Sequence, residues 1–207
     1  MARHAWPFWS KIPANDIVMN FKTQLRMARR HIGRLSALAA NPLYIEDMDE
    51  QRLATLGARA IVLDHDGILG PNMSHGPDKA GEELLKRAVA VFGAGSVFVL
   101  SNTRRTLKER RSWYENNLKD VVYLTAKRKP DQDGILQASW ASGVEVEAIA
   151  VVDDGLLTGT LMALQAGAIP VYAVRREMAE SARARLARLA TAGTQRLAVR
   201  SMGLIFG

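Results

Sequence analysis

The chain of 207 residues carries 28 Lys and Arg against 21 Asp and Glu, for a net charge of +7, with 48% apolar residues and no cysteine. This size and apolar content fit one substantial core with terminal extensions, and the lack of cysteine excludes a disulfide framework and thiolate chemistry. A bilayer-spanning helix needs about 20 consecutive apolar residues, and the sequence has no such run.

Residues 1–40 form a basic extension with seven Lys and Arg against a single acid, Asp16. They lack the apolar core of a secretory signal, while their Arg-rich, acid-poor composition also matches an organelle transit peptide. In VMNFKTQLRMARRHIGRLSALAA, residues 18–40, the apolar set Val18, Phe21, Leu25, Ala28, Ile32, Leu35 and Ala39 keeps helical spacing, and Arg26, Arg30 and Arg34 line another face. Trp6, Phe8 and Trp9 lie just ahead. The pattern predicts an amphipathic helix with two possible uses. It lies in an anionic phospholipid surface through residues 6–39, or it packs its stripe on the body and leaves its Arg face in water. The expected location is the cytoplasmic or organelle-matrix side, peripheral to a membrane, neither secreted nor transmembrane.

Residues 41–174 form a mildly acidic body in which strands and helices alternate. AIVLD (60–64), VFVLS (97–101), VVYL (121–124), AIAVVD (148–153) and IPVYAV (169–174) are short apolar runs without polar alternation, so they predict strands buried on both faces. Helical patterns cover 78–92, 104–118, 131–142 and 156–166. The predicted class is α/β, a Rossmann-like three-layer parallel sheet with helices on both faces. Residues 175–207 hold seven Lys and Arg against two acids; a helix is expected over 177–190, followed by the short apolar tail GLIFG.

In open parallel sheets, sites form outside the carboxyl ends of the strands. Those ends are polar here. The first strand ends at Asp64 and leads to Asp66 within IVLDHDG, the second ends at Ser101 and Asn102, and the fourth at Asp153 and Asp154. A basic run, KRKP at 127–130, follows the third. A lone Asp at a strand end is often a cap or turn residue; the series in order carries more weight. Arg104, Arg105, Lys108, Arg110 and Arg111 follow Ser101, either as anion ligands or as a solvated face. His65 and His75 are expected in the loop rather than as metal ligands, because no His or Cys cluster accompanies them.

These motifs resemble the haloacid dehalogenase-like (HAD) phosphatase superfamily, with its DxD, Ser/Thr, Lys and acidic-pair series. NPLYIEDMDEQRLATLGARAIVLDHDG, VLSNT, the Lys-Pro pair and VVDDGLLTGTLMALQAGAIPV are most similar to subclass IIIA and its phosphatidylglycerophosphate phosphatase-like branch. The resemblance implies a Mg2+-dependent phosphomonoesterase. Asp64 would attack phosphorus to form an aspartyl-phosphate, and Asp66 would serve as acid and then base. It implies Mg2+ held by Asp64, the Asp66 carbonyl and Asp154, with Asp153 as an optional ligand. Ser101 would bind a phosphoryl oxygen and Lys129 would supply positive charge, with Lys127 as the alternative register. Asn102, Arg104 and Arg105 are candidate substrate-binding residues. The spacings from Asp66 to Ser101 and from Ser101 to Lys129 leave no room for a cap domain, so the site should be open, as suits a phosphate on a large body.

The chain departs from the superfamily pattern at three places: Ile68 stands where Thr is usual, Asp153 where Gly is usual, and Gly159 where a second acid is usual. Loss of that acid weakens the metal shell. Two readings therefore stay open: an active phosphatase at a membrane surface, or a weakened HAD-fold subunit whose basic termini bind RNA or a protein assembly. Reading of DNA is not expected, since no helix-turn-helix or zinc pattern is present.

Overall fold

The computed structural model describes residues 21–178 and 180–206. The aromatic cluster of Trp6, Phe8 and Trp9, and Val18, lie outside these residues. The basic N-terminal segment forms α1 (Phe21–Ala28), a 3-10 turn (Arg29–His31) and α2 (Ile32–Ala40). The continuous helix expected over 18–40 is thus broken: His31 leaves helical geometry at φ −118° and ψ 12°, and the chain restarts at Ile32.

The body follows with β1 (Leu43–Tyr44), α3 (Glu50–Thr55), β2 (Ala60–Asp64), α4 (Lys79–Phe92), β3 (Val97–Leu100), α5 (Leu107–Asn117) and β4 (Val121–Tyr123). It continues with α6 (Asp133–Ser142), β5 (Ile149–Asp153), a π-helical turn (Leu156–Thr160), α7 (Leu161–Ala166), β6 (Ile169–Val174) and α8 (Ala182–Phe206). All strand pairs are parallel, in the order β1-β6-β5-β2-β3-β4. Five strands match the predicted runs. The sixth, β1, has two residues and no periodicity to detect; it pairs Leu43 with Ala173 at the sheet edge.

Period-two alternation sorts each strand between two layers. Ile61, Leu63, Val97, Val99, Ala150 and Val152 face Leu84, Leu85 and Ala88 of α4 and Tyr114 of α5. Ala60, Val62, Phe98, Leu100, Ile149 and Val151 face Ile135 and Ala138 of α6 and Met162 and Ala163 of α7. Helices therefore cover both sheet faces. Asp78 caps α4 by accepting a hydrogen bond from Gly81 N at 2.9 Å.

A third cluster joins the termini to the body. Ala28, Ile32, Leu35 and Ala39 pack with Leu156, Leu157, Leu161, Leu164, Tyr172 and Val199. The described part of the N-terminal apolar stripe is thereby packed on the domain, with Leu25 partly buried and Phe21 exposed. The C-terminal helix is longer than expected. It begins at Ala182 and runs through Gly203 because α2 supports it; Gly203 lies so near Ser36 that an added Cβ would stand 2.8 Å from Ser36 Oγ.

The chain proceeds from β2 to β3 and β4 on one side, then crosses to β5 and β6 on the other. This places the topological switch point between β2 and β5, where an open parallel sheet leaves a crevice beyond the carboxyl ends of its strands. The register pairs Leu63 with Val152 and Asp64 with Leu100, bringing three strand ends together there.

Candidate active site

Strand β2 is buried along its length and delivers Asp64 to that crevice, while β5 delivers Asp153 beside it. Lys129, on the loop after β4, reaches between them. Its Nζ donates to Asp64 Oδ1 at 2.6 Å, to Asp153 Oδ2 at 2.6 Å and to the Leu100 carbonyl at 3.3 Å. Asn102 clamps the lysine's backbone: its Oδ1 accepts from Lys129 N at 2.7 Å, and its Nδ2 donates to Lys129 O at 3.4 Å. Of the two lysines that the sequence left open, Lys129 is the one that lies between the carboxylates. Lys127 is exposed and uses its backbone N–H on Asp133, whereas Lys129 is buried.

Burial pushes the Asp64 carboxyl well up from its ordinary range; Lys129 opposes the shift, and the Asp153, Asp154 and Asp66 charges add to it. Burial also works against the Lys129 ammonium, but Asp153 and Asp64 outweigh it and hold the lysine protonated. Asp64 Oδ1 has a second partner, the His65 backbone N–H at 2.9 Å. Oδ2 is the oxygen left for chemistry.

Asp66 faces a different set of partners. Its Oδ1 and Oδ2 accept from the Nη2 and Nη1 of Arg110 at 2.6 and 2.8 Å. Oδ2 also accepts from Ser101 Oγ at 2.8 Å and Thr103 Oγ1 at 2.9 Å, and Oδ1 from Met73 N at 3.2 Å. Although burial favours its neutral form, the Arg110 fork and the two hydroxyls hold its pKa below the usual carboxylate range. Arg110 is fully buried on α5, where it also donates to Ser101 Oγ at 2.7 Å and to the Ser74 carbonyl at 2.7 Å.

The sequence showed Arg110 only as one cation in a basic run. Its sole distinguishing signal, a spacing of nine residues from Ser101, has meaning only once the chain between them is folded. Replacing Arg110 with Met would leave a buried carboxylate without its fork, so a loss of about 3–5 kcal/mol of stability is expected. Denaturant unfolding of the variant would measure it; a change below 1 kcal/mol, within the usual range for surface pairs, would mean that the fork carries little weight.

The carboxylates of Asp64, Asp153 and Asp154 each offer an oxygen within 4.8 Å of the others. Burial, then the Asp153 charge, pushes Asp154 up to about 7. Close approach of Asp154 to the first loop depends on Gly67, at φ +89°: a Cβ there would lie 2.1 Å from Asp154 Oδ2. An all-oxygen, negatively charged donor set suits a hard divalent cation. Asp153, expected only as an optional ligand, belongs to this group, whereas the Asp66 carboxylate is engaged by Arg110.

The other candidate residues are more peripheral. Arg104 donates through Nη2 to the Ala126 carbonyl at 3.0 Å, and Arg105 is exposed. His65 is buried, with Nδ1 beside Tyr114 Oη at 2.9 Å and Nε2 beside Ser74 Oγ at 3.0 Å, so it braces the loop. Burial and then Arg110 lower its pKa to about 4, which keeps the ring neutral.

Residues 18–176 match the model of the mitochondrial PGP phosphatase family, which is HAD-like. The chain belongs to this family. A crystal structure of an uncharacterized protein from Corynebacterium glutamicum is 20% identical to the chain, covers 66% of it and 96% of its own length, and has a TM-score of 0.41. No curated protein shows a significant match. Among the described residues, no helix is long and apolar enough to cross a membrane.

The departures from the superfamily pattern at Asp153 and Gly159 are one packing solution. A Cβ on Gly159 would stand 1.9 Å from Asp153 Oδ2 and 2.2 Å from its Cγ, so the Asp153 carboxylate fills the space that a side chain at 159 would need. Ile68 is buried in the main core with Leu69 and Leu84, where a hydroxyl would face apolar neighbours. The loop is braced instead by Arg175, whose Nη1 donates to the Ile68 carbonyl at 3.3 Å and to Asp78 Oδ2 at 2.9 Å.

Proposed function

We propose that the chain is a Mg2+-dependent phosphomonoesterase that works through an aspartyl-phosphate, with phosphatidylglycerophosphate as its substrate. The observation that carries this reading is Lys129 buried between Asp64 and Asp153 at the switch point of the sheet. Lys129 and the Asn102 clamp hold Asp64 Oδ1, which leaves Oδ2 to attack phosphorus. The ester P–O bond breaks as the Asp64–phosphorus bond forms, and the leaving oxygen takes a proton. Water then cleaves the acyl phosphate and releases inorganic phosphate.

The Arg110 fork keeps Asp66 ionised, the form a base needs, but it also weakens that base, so Asp66 takes the proton of the attacking water only as the fork loosens. The same fork must loosen for Asp66 to carry a proton to the leaving oxygen in the first half. Lys129 stabilises charge on Asp64 and on the phosphoryl oxygens. Asp64, Asp153 and Asp154 are the residues that would hold Mg2+, which supplies positive charge to offset repulsion between carboxylates and a phosphate dianion. One loop and α4 fill the chain between Asp66 and Ser101, and α5 and β4 fill most of it up to Lys129, which leaves the site uncapped. An uncapped site admits a phosphate carried on a lipid. The family's description as mitochondrial supports an organelle location.

The test is phosphate release from phosphatidylglycerophosphate and from soluble phosphomonoesters, with and without Mg2+. Asp64→Asn is expected to reduce release at least about a thousandfold. Release that persists in Asp64→Asn, or that ignores chelation of Mg2+, would refute the mechanism.

A further inference from the structure

The C-terminal helix α8 has two apolar faces. Val199 and Met202 turn inward onto the cluster that holds α2 and the π-helical turn, and Gln195 Oε1 accepts from Leu157 N at 3.0 Å on that same side. The opposite face is open among the described residues. Leu186, Leu189, Leu197 and Leu204 are 68%, 52%, 68% and 91% exposed. At 3.6 residues per turn these four leucines and Gly193 share a stripe about 80° wide, turned away from Val199 and Met202. Four large exposed side chains in one line exceed the scattered apolar residues of an ordinary surface.

Charge selects the occupant. Arg183 and Arg185 lie on the two sides of the stripe and Arg200 lies within it; all three are exposed, and none has an ion-pair partner among the described residues. From Ala182 to Phe206 the helix contains no Asp or Glu. A second copy docked on this stripe would set Arg against Arg with no carboxylate to compensate, which disfavours a homodimer. The third apolar cluster also brings the N-terminal helices onto the same end of the body, and residues 21–40 hold five Lys and Arg and no acid. Both basic segments therefore share one side of a body whose middle is acidic.

We propose that the α8 leucine stripe docks on an anionic phospholipid bilayer, with the leucines entering the acyl boundary and the arginines reaching the lipid phosphates. This is the arrangement of an interfacial amphipathic helix. It gives the C-terminal helix the role that the sequence suggested for the N-terminal stripe, of which Ala28, Ile32, Leu35 and Ala39 are packed on the body. The proposal stands apart from the phosphatase reading, because binding requires no turnover.

The experiment is sedimentation of the full chain with vesicles of phosphatidylcholine alone and with phosphatidylglycerol added. The native chain is expected to bind the anionic vesicles, less tightly as salt rises. The variant Leu186→Ser, Leu189→Ser, Leu197→Ser, Leu204→Ser is expected to bind at least about tenfold more weakly. Circular dichroism checks that it is folded, and a second variant, Arg183→Gln with Arg185→Gln and Arg200→Gln, isolates the charge contribution. No binding by the native chain, or equal binding by the folded leucine variant, would overturn the proposal. So would a native dimer that the leucine variant converts to monomer in sedimentation velocity, which would assign the stripe to self-association.

Discussion

Lys129→Met is expected to destabilise the fold by about 3–5 kcal/mol and to abolish phosphate release, a larger double effect than at any other position in the site. Methionine matches the lysine's length but leaves Asp64 and Asp153 as two adjacent buried carboxylates with no cation, where Nζ now bonds each at 2.6 Å. For a chain of this size the loss corresponds to a fall of roughly 6–20 °C in melting temperature. The pair Lys129→Met with Asp153→Asn should recover part of the stability, because one of the two charges is gone, yet remain inactive. This separates folding from chemistry. A single variant as stable as the native chain would mean that the lysine is not the counter-charge of the buried pair.

Gly159→Asp, which installs the acid usual in the superfamily, is expected to damage this chain. The new Cβ would fall 1.9 Å from Asp153 Oδ2. That oxygen belongs to a fixed group: the Asp153 carboxylate also accepts from Gly155 N at 2.7 Å and from Lys129. Overpacking alone costs about 1–3 kcal/mol, and breaking the Lys129–Asp153 pair adds to it, so a loss above about 3 kcal/mol is expected. The reciprocal double variant, Asp153→Gly with Gly159→Asp, should regain most of the loss because it clears the collision and returns a carboxylate near Lys129. Thermal unfolding of Gly159→Asp, Asp153→Gly and the double variant, with and without Mg2+, measures the coupling. Additive single effects would show that the two positions do not share one space.

The two departures thus have a different meaning from the one they carry in sequence. Read alone, Gly159 is a missing ligand and Asp153 an extra acid. Folded, the Asp153 carboxylate takes the volume that Gly159 vacates, and an oxygen from it lies within 4.8 Å of oxygens from Asp64 and Asp154. Ile68 is likewise explained by the core that surrounds it, and the loop it belongs to is braced from Arg175, 107 residues away in the chain.

The sequence by itself determined the α/β class, five of the six strands and the HAD-like family. Unbroken β-branched runs have one stable use, in a sheet covered on both faces, and the polar residues that end those runs mark its carboxyl edge. Only the tertiary structure decided which side chains meet across that edge. It chose Lys129 over Lys127 because the Asn102 clamp fixes one register, and it singled out Arg110 from its basic run because a turn of α5 carries that one guanidinium inward to Asp66. It also decided which terminal stripe is buried and which is left open. Both arms are apolar on one side and basic on another, but packing α2 against α8 covers Ile32 and Leu35 and leaves Leu186, Leu189, Leu197 and Leu204 in solvent. Periodicity reports that a helix has an apolar face; which neighbour covers that face depends on contacts between residues more than a hundred positions apart, and local sequence does not encode them.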